Sequence, residues 1–359
     1  MTSDLSTMLV WGAATALAIA LVSFAWDLAA LSGRVVEARD AARAATLDAT
    51  QKGAPVPAGA KTSDAALAAG AGGGSVAVRA KAPAAPARSD GPGLPAAPDG
   101  GRRRSRAAGI AMATTTLAWA FLLVAIVVRG IEAGRAPWAN MYEFTLVGSF
   151  VALSVFLGVN LRRDVRFLGV FVTGLATLFL VFAQVRLYVV AEGVQPALQS
   201  YWLVIHVGVA LTATGIFTVA FVTSVLQLLR DSRDNGSAVL NRRGWAWLDT
   251  TPGATQLEVL SFRLNAVAFV LWTFTVIGGA IWAEHAWGRY WGWDPKEVWS
   301  FVVWVVFAAY LHARTTRGWS GRRAAYFVIV GYACVLFNFT GVNLIFNGLH
   351  SYAGLPQDN

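Results

Sequence analysis

The chain has one cysteine, four histidines and few charges, with 14% of its 359 residues being Asp, Glu, Lys or Arg, against about a quarter in soluble domains. A single thiol, Cys334, excludes an internal disulfide and the C-x-x-C-H motif of covalently bound haem, and without a C-x-x-C pair a thiol-ligated metal has no support. Cys334 itself lies inside an apolar run and reads as a small packing residue. No H-E-x-x-H occurs, so zinc-hydrolase chemistry lacks its ligands. The glycines of AGAGGGS are not followed by Gly-Lys-Ser/Thr, so they form no phosphate loop.

What is present is apolar sequence: 56% of the residues by composition, with a mean hydropathy of +0.53. A membrane-spanning helix needs about 20 mostly apolar residues. Eight segments qualify, near 8–31, 108–129, 143–160, 167–190, 201–229, 262–285, 298–313 and 324–346. The first is read as a span, not a cleaved leader, because residues 1–7 carry Asp4 and no Lys or Arg. The expected fold is an all-α integral membrane protein in three parts: a first transmembrane helix to residue 31, a segment over 32–107, and a seven-helix domain over 108–359. Within the middle segment, residues up to about 50 can continue as a charged helix. Residues 53–101 are rich in Ala, Pro and Gly, a composition that cannot bury enough surface to offset chain entropy, and they are expected to form a disordered linker.

The formal charge of +9 is ambiguous until it is located, since clustered Lys and Arg also neutralise nucleic-acid phosphates. With eight spans, the connections 32–107, 161–166, 230–263 and 312–323 share one side and carry 12, 3, 5 and 4 Lys or Arg. The other side holds only Arg129, Arg135, Arg186, Arg289 and Lys296. Positive loops stay cytoplasmic. The basic excess is therefore a topology signal: the linker is cytoplasmic, both termini face outward, and no nucleic-acid partner is expected.

On this topology His206, His285 and His350 gather at the outer face, while His312 lies near the inner end of the seventh span. Ionisable residues at membrane depth are costly and mark function, although a lone histidine at a span end also serves as an interfacial hydrogen-bonding residue. Two imidazoles from different helices can supply the axial pair of a haem iron. The densest feature is W-G-R-Y-W-G-W-D-P-K-E-V-W at 287–299, four tryptophans and a tyrosine in thirteen residues. An interfacial aromatic belt does not account for the interleaved Gly288, Gly292, Asp294 and Glu297. If helical, the segment puts Trp287 and Trp291 on one face; if extended, Trp291 and Trp293. Either offers a flat apolar surface, with Arg289 and Lys296 available for carboxylates, which suits a planar dicarboxylate such as haem. Asp294, before Pro295, is read either as a turn or helix cap or as a docking residue.

This segment resembles the W-G-x-x-W-x-W-D-x-x-E signature of the WWD haem-handling family of cytochrome c biogenesis. Four further segments agree in order: P-W-A-N-M-Y-E at 137–143, S-Y-W-L-V-I-H at 200–206, L-H-A-R at 311–314, and G-V-N-L at 341–344 followed by G-L-H-S-Y at 348–352. The form resembled is the CcsA/ResC type of the system II pathway, named CcsB in some actinobacteria, over about residues 108–359. The resemblance implies that His206 and His350 hold haem iron over a surface of Trp287, Trp291, Trp293, Asp294 and Trp299. It implies an inner haem site at His312, and it implies that Asn140, Tyr142, Glu143 and Glu297 brace the site or dock a substrate or partner. His285 has no counterpart, since the family reads N-E-A-W-G where this chain has E-H-A-W-G.

The function implied is cytochrome c maturation at the cell membrane. Haem b, as transported substrate, would reach the extracytoplasmic face and be presented for thioether attachment to the C-x-x-C-H motif of apocytochrome c. The implied partners are a ResB-type membrane protein, the apocytochrome, thiol-reducing proteins and membrane lipid, and the implied activity is that of a holocytochrome c synthase subunit. Two other readings stay open: a haem transporter or chaperone that leaves ligation to other proteins, and a cytochrome b-like electron carrier.

Overall fold

A computed structural model describes residues 2–51, 105–191, 200–346 and 348–350. Among the described residues every regular element is helical, as expected for chain in lipid, where backbone N–H and C=O groups must be satisfied within the segment. The helices are α1 (Thr2–Gln51), α2 (Arg106–Ala133), α3 (Met141–Arg162), α4 (Gly169–Phe182), α5 (Tyr201–Asp234), α6 (Ala254–Trp287), α7 (Pro295–Thr316), α8 (Arg322–Leu336) and the short α9 (Val342–Ile345). A 3-10 turn, Arg166–Leu168, leads into α4, the π turn Ala183–Leu187 prolongs it, and the π turn Phe337–Gly341 joins α8 to α9.

Eight helical stretches are long and apolar enough to cross a membrane, one for each expected span. α1 continues beyond the apolar run to Gln51, as its charged second half allowed. α6 begins at Ala254, a turn or two before its apolar part, and a 3-10 helix, Arg243–Thr250, occupies the connection before it. Among the described residues, 2–37 and those from 105 onward form the compact body, and 38–51 belong to a separate unit. The Ala/Pro/Gly-rich stretch expected to be disordered lies, over 52–104, outside the described residues, as do Ser351 and Tyr352 of the C-terminal motif.

Local sequence explains where the helices start and stop. Ser105 caps α2, its Oγ accepting from Ala108 N, and Asn140 caps α3, its Oδ1 accepting from Glu143 N; each satisfies an otherwise orphaned donor. Ser200 does the same for α5. Asp294 and Glu297 form a reciprocal capping box at the start of α7, with Pro295 in its first turn. α6 ends at Gly288, whose φ of +70° is open to glycine and costly for other residues.

α5 is the central helix. It packs along α6 and also meets α3 and α8, so it joins two apolar clusters, one built from α1 to α4 and one from α6 to α8. Association in lipid relies on close approach and interhelical hydrogen bonds. Both occur here. Gly215 of α5 lies so close to Val151 of α3 that a Cβ would clash at 2.6 Å. Ser224 and Ser261 Oγ are 2.6 Å apart across α5 and α6, and Trp272 Nε1 donates to Ser300 O at 3.0 Å across α6 and α7.

Alternation of spans gathers the α2–α3 and α6–α7 connections and the start of α5 at one end. The cavity described next opens among these segments.

Candidate functional site

The cavity holds about 1250 Å³ of space including its mouth, and both His206 and His350 line it. The fold brings them together from positions 144 residues apart in the chain. His206 lies in the second turn of α5, and Thr275 O accepts from its Nδ1 at 2.9 Å. A carbonyl can only accept, so this bond fixes the proton on Nδ1 and leaves Nε2 with its lone pair. His350 follows α9, and its Nδ1 lies 2.8 Å from Asp294 Oδ1. A ring nitrogen tied to a carbonyl or carboxylate, with the other left available, is the arrangement of metal-ligating histidines.

Asp294 is buried and heavily engaged. Oδ1 also accepts from Lys296 N at 2.9 Å, and Oδ2 accepts from Leu349 N at 2.6 Å. Burial raises its pKa, but the hydrogen bond from the His350 ring and the two backbone N–H groups outweigh burial and hold the carboxyl below its usual range. Helix capping, one of the two readings the sequence offered for Asp294, is thus combined in one carboxylate with the positioning of His350, which the sequence did not suggest. Glu297 ties down the preceding loop, Oε2 accepting from Gly292 N at 2.8 Å and Asp294 N at 3.1 Å.

Trp282 is the residue that sequence reasoning missed. It is 2% exposed, lies parallel to His206 at a centroid distance of 6.1 Å and meets His350 edge-on at 5.5 Å. Gly279, one turn earlier, makes room for the His206 ring, since a Cβ there would stand 2.8 Å from Cε1. The Gly278-Gly279 pair inside an apolar span was the available signal of close approach.

The motif tryptophans separate into different environments. Trp287 ends α6 and packs edge-on against His350 at 5.1 Å and Trp282 at 4.7 Å. Trp291 lines the cavity with Tyr290. Trp299 sits in α7 against Phe337 at 4.3 Å. Trp293 is 77% exposed, perpendicular to Trp291, and adopts φ +58°, a left-handed conformation that is an outlier for a bulky residue. The segment is neither wholly helical nor extended: Trp287 closes one helix, Pro295 opens the next, and a bent loop lies between.

Asn140 lines the cavity and caps α3. Tyr142 and Glu143 are fully buried behind it. Glu143 binds Arg129 Nε at 2.9 Å, Arg135 at 2.7 and 3.1 Å, and Ala139 N at 2.9 Å. Tyr142 donates to Gln184 Oε1 at 3.0 Å, beneath the Arg129 guanidinium. This cluster locks the α2–α3 connection, including cavity-lining Trp138, onto the bundle.

His312 is remote. It lies seventeen residues after Pro295 on α7, about 26 Å along the axis, and its side chain is exposed on the surface of the described bundle. His285 is also exposed, its Nδ1 bonded to Ile281 O at 2.9 Å and 3.3 Å from Glu284, and it is outside the cavity lining.

Comparison with known proteins agrees with the geometry. The profile of the family described as Cytochrome C assembly protein matches residues 138–350, from the cavity tryptophan on the α2–α3 connection to the second histidine. Proteins named cytochrome c biogenesis protein CcsA are similar over most of their length. The one from Trichormus variabilis is 35% identical, covering 67% of this chain and 86% of the relative. That from Synechococcus elongatus is 36% identical over 67% and 85%, and that from Guillardia theta 33% over 68% and 86%. With eight membrane-length helices and this match, the chain is a multi-pass membrane protein that belongs to the cytochrome c assembly protein family and has its role in cytochrome c biogenesis.

Proposed function

We propose that the cavity is a haem-presentation site, from which haem b is handed, as substrate, to an apocytochrome c at the extracytoplasmic face of the cell membrane. The observation that carries this reading is the histidine pair: His206 and His350 line one aromatic-walled cavity, and each has its Nδ1 engaged by an acceptor. The residues fit the group, since neutral Nε2 atoms suit haem iron and Trp282, Trp287 and Trp291 offer flat apolar surface to a macrocycle.

Haem supplies the iron for axial ligation and the vinyl groups to which cysteine thiols add. The chain supplies position. Thr275 and Asp294 fix the tautomers of the two imidazoles, Trp282 packs against both rings, and Glu297 holds the loop that carries Trp291. Holding thiol and vinyl in near-attack geometry can remove up to about 7–11 kcal/mol from a bimolecular barrier. His206 and His350 must also release the product, which the incoming histidine of C-x-x-C-H favours by competing for an axial place.

The charge distribution supports the outward orientation, because 24 of 29 Lys and Arg lie on the connections away from the cavity. His312 is assigned to an inner haem site on the route to the cavity. Its exposed position on α7 suits ligation shared with a membrane partner, for which a ResB-type protein is proposed. The linker over 32–107 is placed in the cytoplasm.

The test is co-expression of the full chain with a ResB-type partner and an apocytochrome c in a host without its own maturation pathway. Haem-stained holocytochrome supports the reading, and its absence with all three proteins present refutes it. In purified protein, His206→Ala and His350→Ala should each lose the bis-imidazole Soret band, with added imidazole restoring it. Unchanged spectra in either variant refute the ligand assignment.

A further inference from the structure

We propose that Lys296 is the carboxylate-recognition residue of the cavity, pairing with an acidic edge of its ligand; resting on the function proposed above, that edge is a haem propionate. Lys296 projects from the first turn of α7, and its Nζ donates to Asn338 O at 2.8 Å and Asn343 Oδ1 at 3.2 Å. Both partners are neutral, and an ammonium has three donors. Among the described residues no carboxylate lies within ion-pair distance of Nζ, and Lys296 is the only ammonium or guanidinium lining the cavity.

Neither nearby carboxylate pairs with Nζ. Asp294 is occupied by His350, Leu349 N and Lys296 N. Glu297 reaches back through Oε2 to Gly292 N and Asp294 N, while its Oε1 is buried without a hydrogen-bond partner among the described residues. Arg289, the other cation of the motif, sits on the exposed loop beside Gly292 and does not line the cavity. A cation held by neutral dipoles in a membrane-embedded pocket is expensive, and a ligand carboxylate completes it through charge-assisted hydrogen bonds. Two further donors of the lining, Trp138 Nε1 and Trp282 Nε1, are buried without a hydrogen-bond partner among the described residues.

The pairing has a consequence for the reaction. Two axial imidazoles fix the iron but leave the macrocycle free to rotate about the axis joining them. A contact at the propionate edge removes that freedom, and because the vinyl groups lie away from the propionates, it also sets where they face. Lys296 is thus a positioning residue for the thiol acceptors.

The experiment is a spectroscopic titration of the purified full chain with iron protoporphyrin IX and with its dimethyl ester, which keeps iron, ring and vinyls but has no charged carboxylate. The wild type should prefer the diacid by about tenfold or more. Lys296→Met should abolish that preference while still binding the ester with a bis-imidazole spectrum, and Lys296→Arg should keep much of it. Comparing affinity ratios between proteins cancels the partition of the two compounds into detergent. A wild type that does not discriminate, a Met variant that keeps the preference, or one that loses both ligands equally, as a purely structural strut to Asn338 predicts, overturns the proposal. Failure of the wild type to ligate either compound overturns the haem-presentation reading itself and this inference with it.

Discussion

Two adjacent glycines of α6 offer a sharp test of the His206 geometry. A Cβ added at Gly279 meets His206 Cε1 at 2.8 Å and Nδ1 at 3.1 Å, whereas one added at Gly278 meets only His206 Cα and Cβ at 3.8 Å. Carbon atoms rest at about 3.5–4.0 Å, so Gly279→Ala must push the ring by about 0.7–1.2 Å and Gly278→Ala need push nothing. The ring is held by a 2.9 Å bond to Thr275 O, and a shift of that size carries it to or beyond the limit of about 3.5 Å for a hydrogen bond. In stability, Gly279→Ala gains about 1 kcal/mol of helix propensity and loses about 1–3 kcal/mol to overpacking, so the bundle stays folded. In function, an imidazole without its orienting partner should lose about 10–100-fold in haem affinity, the range for outer-shell changes around metal ligands. The assay is haem titration of both purified variants by Soret absorbance, with thermal unfolding alongside. Normal haem binding by a folded Gly279→Ala, or equal losses in both variants, refutes the placement of His206.

Other residues yield distinct signatures. Asp294→Asn keeps a good helix cap but replaces the carboxylate that accepts from His350 and Leu349; haem affinity should fall about 10–100-fold in titration, with the melting temperature little changed. Glu143→Gln leaves Arg129 and Arg135 facing a neutral amide in a buried cluster and should destabilise by about 3–5 kcal/mol, read by thermal unfolding, not by a changed Soret position. His285→Ala removes an exposed ring bonded to its own helix and should leave both spectrum and stability within about 0.5 kcal/mol. His312→Ala should leave the spectrum of haem added to purified protein intact, because the residue lies far from the cavity, yet lower holocytochrome yield in co-expressing cells.

The spans were legible because burial in lipid writes itself into composition: each of the eight apolar runs contains a membrane-length helix. The limits of α6 and α8 were not. Residues 254–261 are mixed in polarity and are helical because Leu257 and Ser261 pack inward. The π turn at Phe337–Gly341 has no periodicity signature, although it carries Asn338 and Phe339 into the cavity wall. At the site, His206 and His350 were visible as rare ionisable residues at a span end. Trp282 was not, because a tryptophan inside an apolar run carries no local mark. Its importance arises only when α5 and the chain after α9 bring two imidazoles against it.

The sequence also drew attention to the tryptophans of the motif, whereas the fold gives its organising work to the four residues beginning at Asp294. Asp294 caps α7 and holds His350, Pro295 starts the helix, Lys296 turns toward Asn338 and Asn343, and Glu297 fastens the loop at Gly292. One helix N-terminus therefore anchors the C-terminal histidine, the cavity's cation and the aromatic loop together. Such coupling explains why aromatic character alone is insufficient at this place. Trp293 can be 77% exposed without loosening the site, while loss of the Asp294 carboxylate disturbs the histidine and the chain that carries it. The tryptophans offer surface to a flat ligand; the polar residues beside them decide how that surface faces the two imidazoles.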